Sequence, residues 1–191
     1  RTAEQDNRHR RSREEKWNVA MTGTTVCCEA PQPALTRITA PEVSHGAEIH
    51  RLVAACKPLD LNSRYAYLLL CEHFADTCAL ARMGDQVVGF VSAYRPPDRD
   101  DTIFVWQVAV DAGTRGKGLA ASMLHEILER PQVRECRYLE TTVSPSNTPS
   151  RRLFHGLAQR LNAALTESPL FAQDAFGEED HECEMLIRIG P

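Results

Sequence analysis

The sequence Thr-Ile-Phe-Val-Trp-Gln-Val-Ala-Val-Asp-Ala-Gly-Thr-Arg-Gly-Lys-Gly-Leu-Ala fills residues 102–120 and changes character half-way along. Thr102–Val110 is rich in β-branched and aromatic residues and reads as a strand. The chain then turns through Asp111–Gly113 and enters a helix near Arg115, with Arg115, Gly116, Lys117 and Gly118 at its start. A helix start exposes backbone N–H groups that no carbonyl accepts. Glycines let a large anion lie against those groups. The pattern therefore points to a phosphate or pyrophosphate held at the C-terminal end of a strand. An ATP-type loop is excluded, because Leu119 and Ala120 stand where its Lys and Ser/Thr belong after Gly113 and Gly118. The dinucleotide pattern fails as well, since Ala121 takes the place of the third glycine after Gly116 and Gly118. The plainer reading is a glycine-containing turn into an amphipathic helix.

Working outward, the 191 residues suffice for one domain with a real core. A formal net charge of −4 argues against generic attraction to nucleic acid. The longest apolar runs, such as Tyr65–Cys71, are far short of a membrane span. The first residues are charged and do not form a signal-peptide pattern, and the start at Arg1 rather than Met leaves room for sequence upstream. Of seven Cys, Cys56, Cys71, Cys78 and Cys183 sit in apolar surroundings and read as free core thiols of a reducing compartment. Cys27 and Cys28 are adjacent in the tail, and no metal-ligand spacing emerges, so no metal is expected.

Residues 1–34 carry little periodic hydrophobicity and read as a disordered or weakly ordered extension. The patch Arg8, Arg10, Arg11 and Arg13 reads as a solvated tail, with contact to an anionic partner as the alternative. The domain spans 35–191. Leu35–Ile38 fits a first strand, and Ile49, Leu52, Val53 and Cys56 make a helical stripe that Pro58 ends. Asn62 or Ser63 caps a second helix through Tyr67–Phe74, placing Asp60 and Tyr65 at a junction as cleft residues or as a cap and a core aromatic. Thr77–Met83 and Gln86–Tyr94 form a hairpin about Gly84–Asp85, with Gly89 marking a bulge or a close approach. A helix follows over Arg115–Arg130, a strand over Arg137–Val143, and a helix from Pro149 or Ser150 to about Ala164. Residues 167–184, with seven acidic residues and no Lys or Arg, read as a loop anchored by Phe171 and Phe176. Cys183–Ile189 closes the chain as a strand, with Glu182, Glu184, Leu186 and Arg188 on one face and Cys183, Met185, Ile187 and Ile189 on the other. This order gives an α/β (mixed α+β) fold, a mixed central sheet with helices on both sides.

Residues Val110–Ala120, Val-x-x-x-x-Arg-Gly-x-Gly-x-Ala, resemble the acyl-CoA pyrophosphate loop of the GNAT superfamily of N-acetyltransferases. Longer strings narrow the match: Pro58–Tyr67, Cys71–Phe74, Phe104–Val110, Glu140–Val143, Asn147–Ser150 and His181–Glu184. Together they resemble the L-2,4-diaminobutyrate acetyltransferase family of ectoine biosynthesis, across about residues 35–191. The resemblance implies a twisted central mixed sheet of the GNAT fold. It implies acetyl transfer from acetyl-CoA to N4 of L-2,4-diaminobutyrate without a metal, in a cytoplasmic homodimer.

It also implies a site. The substrate pocket would contain Asp60, Tyr65, Trp106, Thr141, His181 and Glu184. The Val108 amide would bind the oxyanion, and the Val108–Val110 edge would pair with the pantetheine arm. Arg115, Gly116, Lys117, Gly118 and Ala120 would hold the pyrophosphate, mostly through backbone, and Asn147 would bind CoA or a local backbone group. An alkylamine has a pKa near 10, so holding it neutral at pH 7 costs roughly 4 kcal/mol, and a carboxylate can recruit it and take its proton. Glu184 leads for that role, His181 can relay, and Asp60 either holds the α-amino group or drains the N4 proton. Plainer readings are a core Trp106, a solvent-facing Glu184 and a His181 that satisfies a loop. The superfamily often has a Tyr that protonates the leaving thiolate; here Phe154 takes its place, leaving water, Tyr65 or release to supply that proton. An acetyltransferase for another diamine or a polypeptide amine, or a silent acyl-CoA-binding module, are the competing readings. Activity on free diaminobutyrate against ornithine, lysine and peptides separates the first, and CoA binding without transfer identifies the second.

Overall fold

The computed structural model describes residues 36–177 and 181–191. The extension read over 1–34 lies outside the described residues, as do Leu35, Cys27 and Cys28.

Among the described residues seven strands make one sheet: β1 (Thr36–Thr39), β2 (Ala79–Met83), β3 (Gln86–Tyr94), β4 (Thr102–Val110), β5 (Tyr138–Val143), β6 (Leu165–Phe171) and β7 (Glu184–Ile189). Their spatial order is β1-β2-β3-β4-β5-β7-β6. β1 to β4 form an antiparallel meander, β4 and β5 are parallel, and β7 runs antiparallel between β5 and β6. Helices α1 (Gly46–Ala55) and α2 (Arg64–His73) precede β2, α3 (Leu119–Leu128) makes the crossover from β4 to β5, and α4 (Thr148–Leu161) follows β5.

Two apolar cores explain the layering. Ile49, Leu52, Val53, Tyr67 and Leu70 from α1 and α2 bury against Leu80, Phe90 and Ala109 of the sheet. Met123, Leu124, Ile127, Phe154 and Leu157 from α3 and α4 bury with Val91, Ile103, Val105, Leu139 and Ile187. Each helix turns its apolar stripe to the sheet, as a period of 3.6 requires. Gly89 serves both purposes expected of it. The β2–β3 register shifts beside it, and a Cβ there would lie 2.9 Å from the Met123 side chain of α3. Burial pushes the Cys71 thiol up to about 11 and the Cys78 thiol up to about 12, so both are inert core groups.

The expected hairpin is found with Gly84–Asp85 at its turn, and Ser63 caps α2 by accepting from the Ala66 N–H at 3.2 Å. Four expectations are corrected. The helix after β4 starts at Leu119, not Arg115, because Gly116 and Gly118 take left-handed φ of 75° and 80° that no α-helix accommodates. The helix after β5 ends at Leu161, where Asn162 adopts a left-handed φ of 50°. Leu165–Phe171 is a strand rather than part of a loop, paired along β7. Cys183 is only half-buried, since it lies just before β7 and outside both cores.

Buried Glu140 on β5 accepts hydrogen bonds from Arg99, of the β3–β4 loop, and from Arg188 of β7, at 2.8 Å for the latter. Arg188 also lies 3.7 Å from the Tyr138 ring centre. The pairing satisfies a carboxylate that burial would otherwise penalise, and it fastens β7 to β5 near the site.

Candidate active site

The β4–β5 pairing runs from Thr102↔Tyr138 to Val105↔Thr141 and stops there. β5 continues alongside β7 to Val143, while β4 continues alongside β3 to Val110, so the sheet splits. A β-bulge sits at the fork, where Ser92 faces Gln107 and Ala93 faces Val105, leaving Trp106 as the extra residue. Trp106 is 45% exposed, which removes the core reading of it. The Gln107 N–H donates to Ser92 Oγ at 3.1 Å and the Asp111 N–H to the Val88 carbonyl at 2.9 Å, both toward β3. By the two-residue period of a strand, the Val108 and Val110 amides point the other way, into the split.

Below the split lies the glycine loop. Arg115 Nε donates back to the Val110 carbonyl at 2.9 Å, and Lys117 Nζ to the Gly113 carbonyl at 3.0 Å. Asp111 Oδ1 accepts from the Gly113 N–H at 3.0 Å, and Thr114 donates to the Asp111 carbonyl at 3.0 Å, which pins the turn. No side chain caps α3, so the first-turn amides, Ala120 among them, stand ready for an anion with both cations beside them. These features fit a pyrophosphate. Gly118→Glu is expected to raise the CoA dissociation constant at least about tenfold, because the left-handed φ strains any side chain and the new charge opposes the anion. Titration calorimetry on the folded variant checks it, and unchanged affinity would remove the loop from the site. Asn147 spends its side-chain oxygen on α4, accepting from the Ser150 N–H at 3.2 Å.

Opposite the loop, Glu184 opens β7, half-buried. Burial pushes its carboxyl above the ordinary carboxylate range; the Thr142 side chain and the His181 ring oppose this, while the charges of Asp60 and Glu182 reinforce it. His181 and Thr142 thus neighbour Glu184, and Asp60 is near enough for its charge to be felt there. His181 Nε2 lies 3.9 Å from Glu184 Oε1, and its Nδ1 lies 2.6 Å from the Glu182 carbonyl. A carbonyl only accepts, so Nδ1 carries the proton and Nε2 faces the carboxylate. The Phe176 ring stacks on His181 with centres 3.9 Å apart. Glu182 Oε2 accepts from the Ser146 N–H at 3.1 Å, tying this segment to the β5–α4 loop.

Tyr65 is 67% exposed at the start of α2, and the buried aromatic of that helix is Tyr67. Thr141 is not brought into the group. It is buried opposite Ile187, on the core face of β5, whereas Thr142 shares the face of Glu184. Phe154 lies in the second core, 2% exposed. Sequence reasoning missed Thr142, Gln107 and the latch of Glu182, and it read Phe176 as a loop anchor without its stacking on His181. The alternation of β5 carried a signal for the first alone, and only once its register with β7 is known. Among the described residues, no group of three or more His, Cys, Asp or Glu side chains gathers as a metal site.

The profile of the "Acetyltransferase (GNAT) family" matches residues 46–158, from α1 through most of α4. The chain belongs to this family. Within it, an L-2,4-diaminobutyric acid acetyltransferase of Bordetella parapertussis is 52% identical over 178 residues, 92% of this chain and 96% of the relative. A protein of the same name from Marinococcus halophilus is 48% identical over 79% of this chain and 87% of its own. The solved diaminobutyrate acetyltransferase of Paenibacillus lautus, in complex with L-2,4-diaminobutyric acid and coenzyme A, superposes with a TM-score of 0.81 at 40% identity, covering 83% of this chain and 96% of that one. The chain is thus a GNAT acetyltransferase closely related to the diaminobutyrate acetyltransferases. The split, the uncapped helix and the glycine loop belong to the part that the family profile spans. His181 and Glu184 lie beyond it.

Proposed function

We propose that this chain transfers the acetyl group of acetyl-CoA to N4 of L-2,4-diaminobutyrate, yielding N4-acetyl-L-2,4-diaminobutyrate and CoA, the precursor that a following enzyme cyclises to ectoine. The observation that carries this reading is 52% identity along almost the whole length of a relative named for that activity. Acetyl-CoA supplies the activated acetyl group. Arg115, Gly116, Lys117, Gly118 and Ala120 bind its pyrophosphate, and the outward amides of Val108 and Val110 align its arm and steady the carbonyl oxygen as negative charge develops.

The substrate carries two amines and a carboxylate, and the site offers two separated carboxylates. Asp60 holds the α-amino group. Glu184 draws in the N4 ammonium and takes its proton, with His181 Nε2 as its neighbour. Trp106 and Tyr65 wall the pocket with their exposed rings. The N4 lone pair adds to the thioester carbonyl carbon, the oxyanion so formed collapses to break the C–S bond, and the nitrogen's second proton leaves to solvent. Phe154 has no proton to give, so solvent protonates the departing thiolate.

Incubation with acetyl-CoA and free L-2,4-diaminobutyrate, followed by mapping of the product, tests the assignment. N4-acetylation, with far slower turnover of lysine and peptide amines, is the expected result. Acetylation at the α-amine, or preference for a polypeptide, overturns it. No described helix is long and apolar enough to cross a membrane, and we place the enzyme in the cytoplasm as a homodimer whose transferase domain is 35–191. Light scattering that reports a single chain mass with full activity argues against the dimer, and an inactive chain beginning at Leu35 argues against the boundary.

A further inference from the structure

Gln107 is buried at the centre of β4, where the neighbouring buried side chains are Val105 and Ala109. A polar side chain costs free energy there unless it is fully paired. It is paired, and toward one loop. Gln107 Nε2 donates to the backbone carbonyl of Asp60 at 2.8 Å, and Oε1 accepts from the Tyr67 hydroxyl at 3.3 Å. That hydroxyl accepts from the Asn62 N–H at 3.4 Å, so the pair grips the loop at both Asp60 and Asn62. Tyr67 is itself immobile, fully buried and edge-on to Phe90 and His50 with ring centres 6.2 Å and 6.0 Å away.

The path that joins the two carboxylates makes this grip consequential. From Glu184 it runs along β7 and across the ladder at Thr142↔Leu186 and Thr141↔Ile187 to β5, then at Thr141↔Val105 to β4. From β4 to Asp60 the link is the Gln107 side chain. Ladder pairing is rigid, so this last link sets how far Asp60 stands from Glu184.

We propose that Gln107, backed by Tyr67, is a positioning residue that fixes the Asp60–Glu184 separation and so selects the chain length of the diamino acid. The inference rests on the functional reading above, in which these carboxylates receive the two amines. A pocket matched at both ends discriminates one methylene by about 10–200-fold. Loosening one end erodes that discrimination before it erodes chemistry.

The test compares kcat and KM of the full chain on 2,3-diaminopropionate, 2,4-diaminobutyrate and ornithine, for the parent, Gln107→Leu and Tyr67→Phe, with CoA affinity measured in each. Gln107→Leu is expected to raise KM for diaminobutyrate about tenfold, with kcat less affected and CoA affinity unchanged. Its preference for diaminobutyrate over ornithine should fall by about the same factor. Tyr67→Phe should shift both quantities in the same direction by about threefold, and it carries the test alone if Gln107→Leu does not fold. Folded variants that keep the parent preference, or that lose activity equally on all three amines, overturn the inference while leaving the functional reading intact. A parent that acetylates none of the three overturns the functional reading and this inference with it.

Discussion

Glu184→Gln is expected to lower kcat/KM for diaminobutyrate by about 10²–10⁴-fold at neutral pH, the range for loss of a general base. The change keeps the shape and the Thr142 contact but removes the charge. Because burial holds the Glu184 carboxyl above the ordinary range, the acid limb of the parent pH–rate profile should lie above that of a free carboxylate. Activity depends on the ionised form, so it rises with pH through this limb. The variant should lose the limb and recover part of its rate at high pH, where more of the amine is already neutral. Asp60→Asn should behave differently, raising KM with kcat nearer its parent value, as loss of uniform binding does. A Glu184→Gln enzyme with the parent rate and profile would show that another group takes the proton. A pH-rescued kcat loss in Asp60→Asn instead would exchange the two roles.

The second large effect is on stability. Phe154 is packed among the helices and sheet of its core, with Leu139, Val143 and Leu157 in the same buried cluster. Phe154→Ala is expected to cost about 3–5 kcal/mol, lowering the melting temperature by roughly 6–20 °C for a domain of this size. Denaturant titration of parent and variant reads the loss directly. Phe154→Leu should keep most of the stability and turn over within about twofold of the parent, because the ring packs rather than donates. A folded Phe154→Leu enzyme with a collapsed kcat would mean that the ring contributes to the chemistry after all.

How far the sequence could be read follows from what each feature depends on. The hairpin at Gly84–Asp85 and the length of β4 rest on alternation and turn chemistry, which are local, and both are found as read. The loop at 115–118 was visible as glycine density, but its left-handed φ values, which delay α3 to Leu119, are a property of backbone rather than of composition. β6 escaped because Glu167, Ser168 and Pro169 are poor strand residues, and its strand character comes from pairing with β7. The site shows the same division. His181 and Glu184 lie side by side, 3.9 Å apart. Thr142 replaces Thr141 beside Glu184 because the face of a strand is set by register with its neighbour. The Gln107–Asp60 bond joins residues 47 apart, and no periodicity announces such a bond.

The fork between β4 and β5 has a bearing on endurance as well as on chemistry. A sheet interrupted at its middle has unfinished edges, and the amides of Val108 and Val110 are left without strand partners on that side. In the binding mode proposed above, the amides of the cosubstrate's arm run along β4 and complete the interrupted ladder, so that binding and folding are coupled. Bound at a hundred times its dissociation constant, such a ligand adds about 2.7 kcal/mol to the unfolding free energy. The melting point of this protein should therefore track the acyl-CoA level around it, and deuterium uptake at Val108 and Val110 should slow when CoA is present. An enzyme of this kind is then hardened by its own cosubstrate, and most fragile where CoA and its acyl forms are scarce.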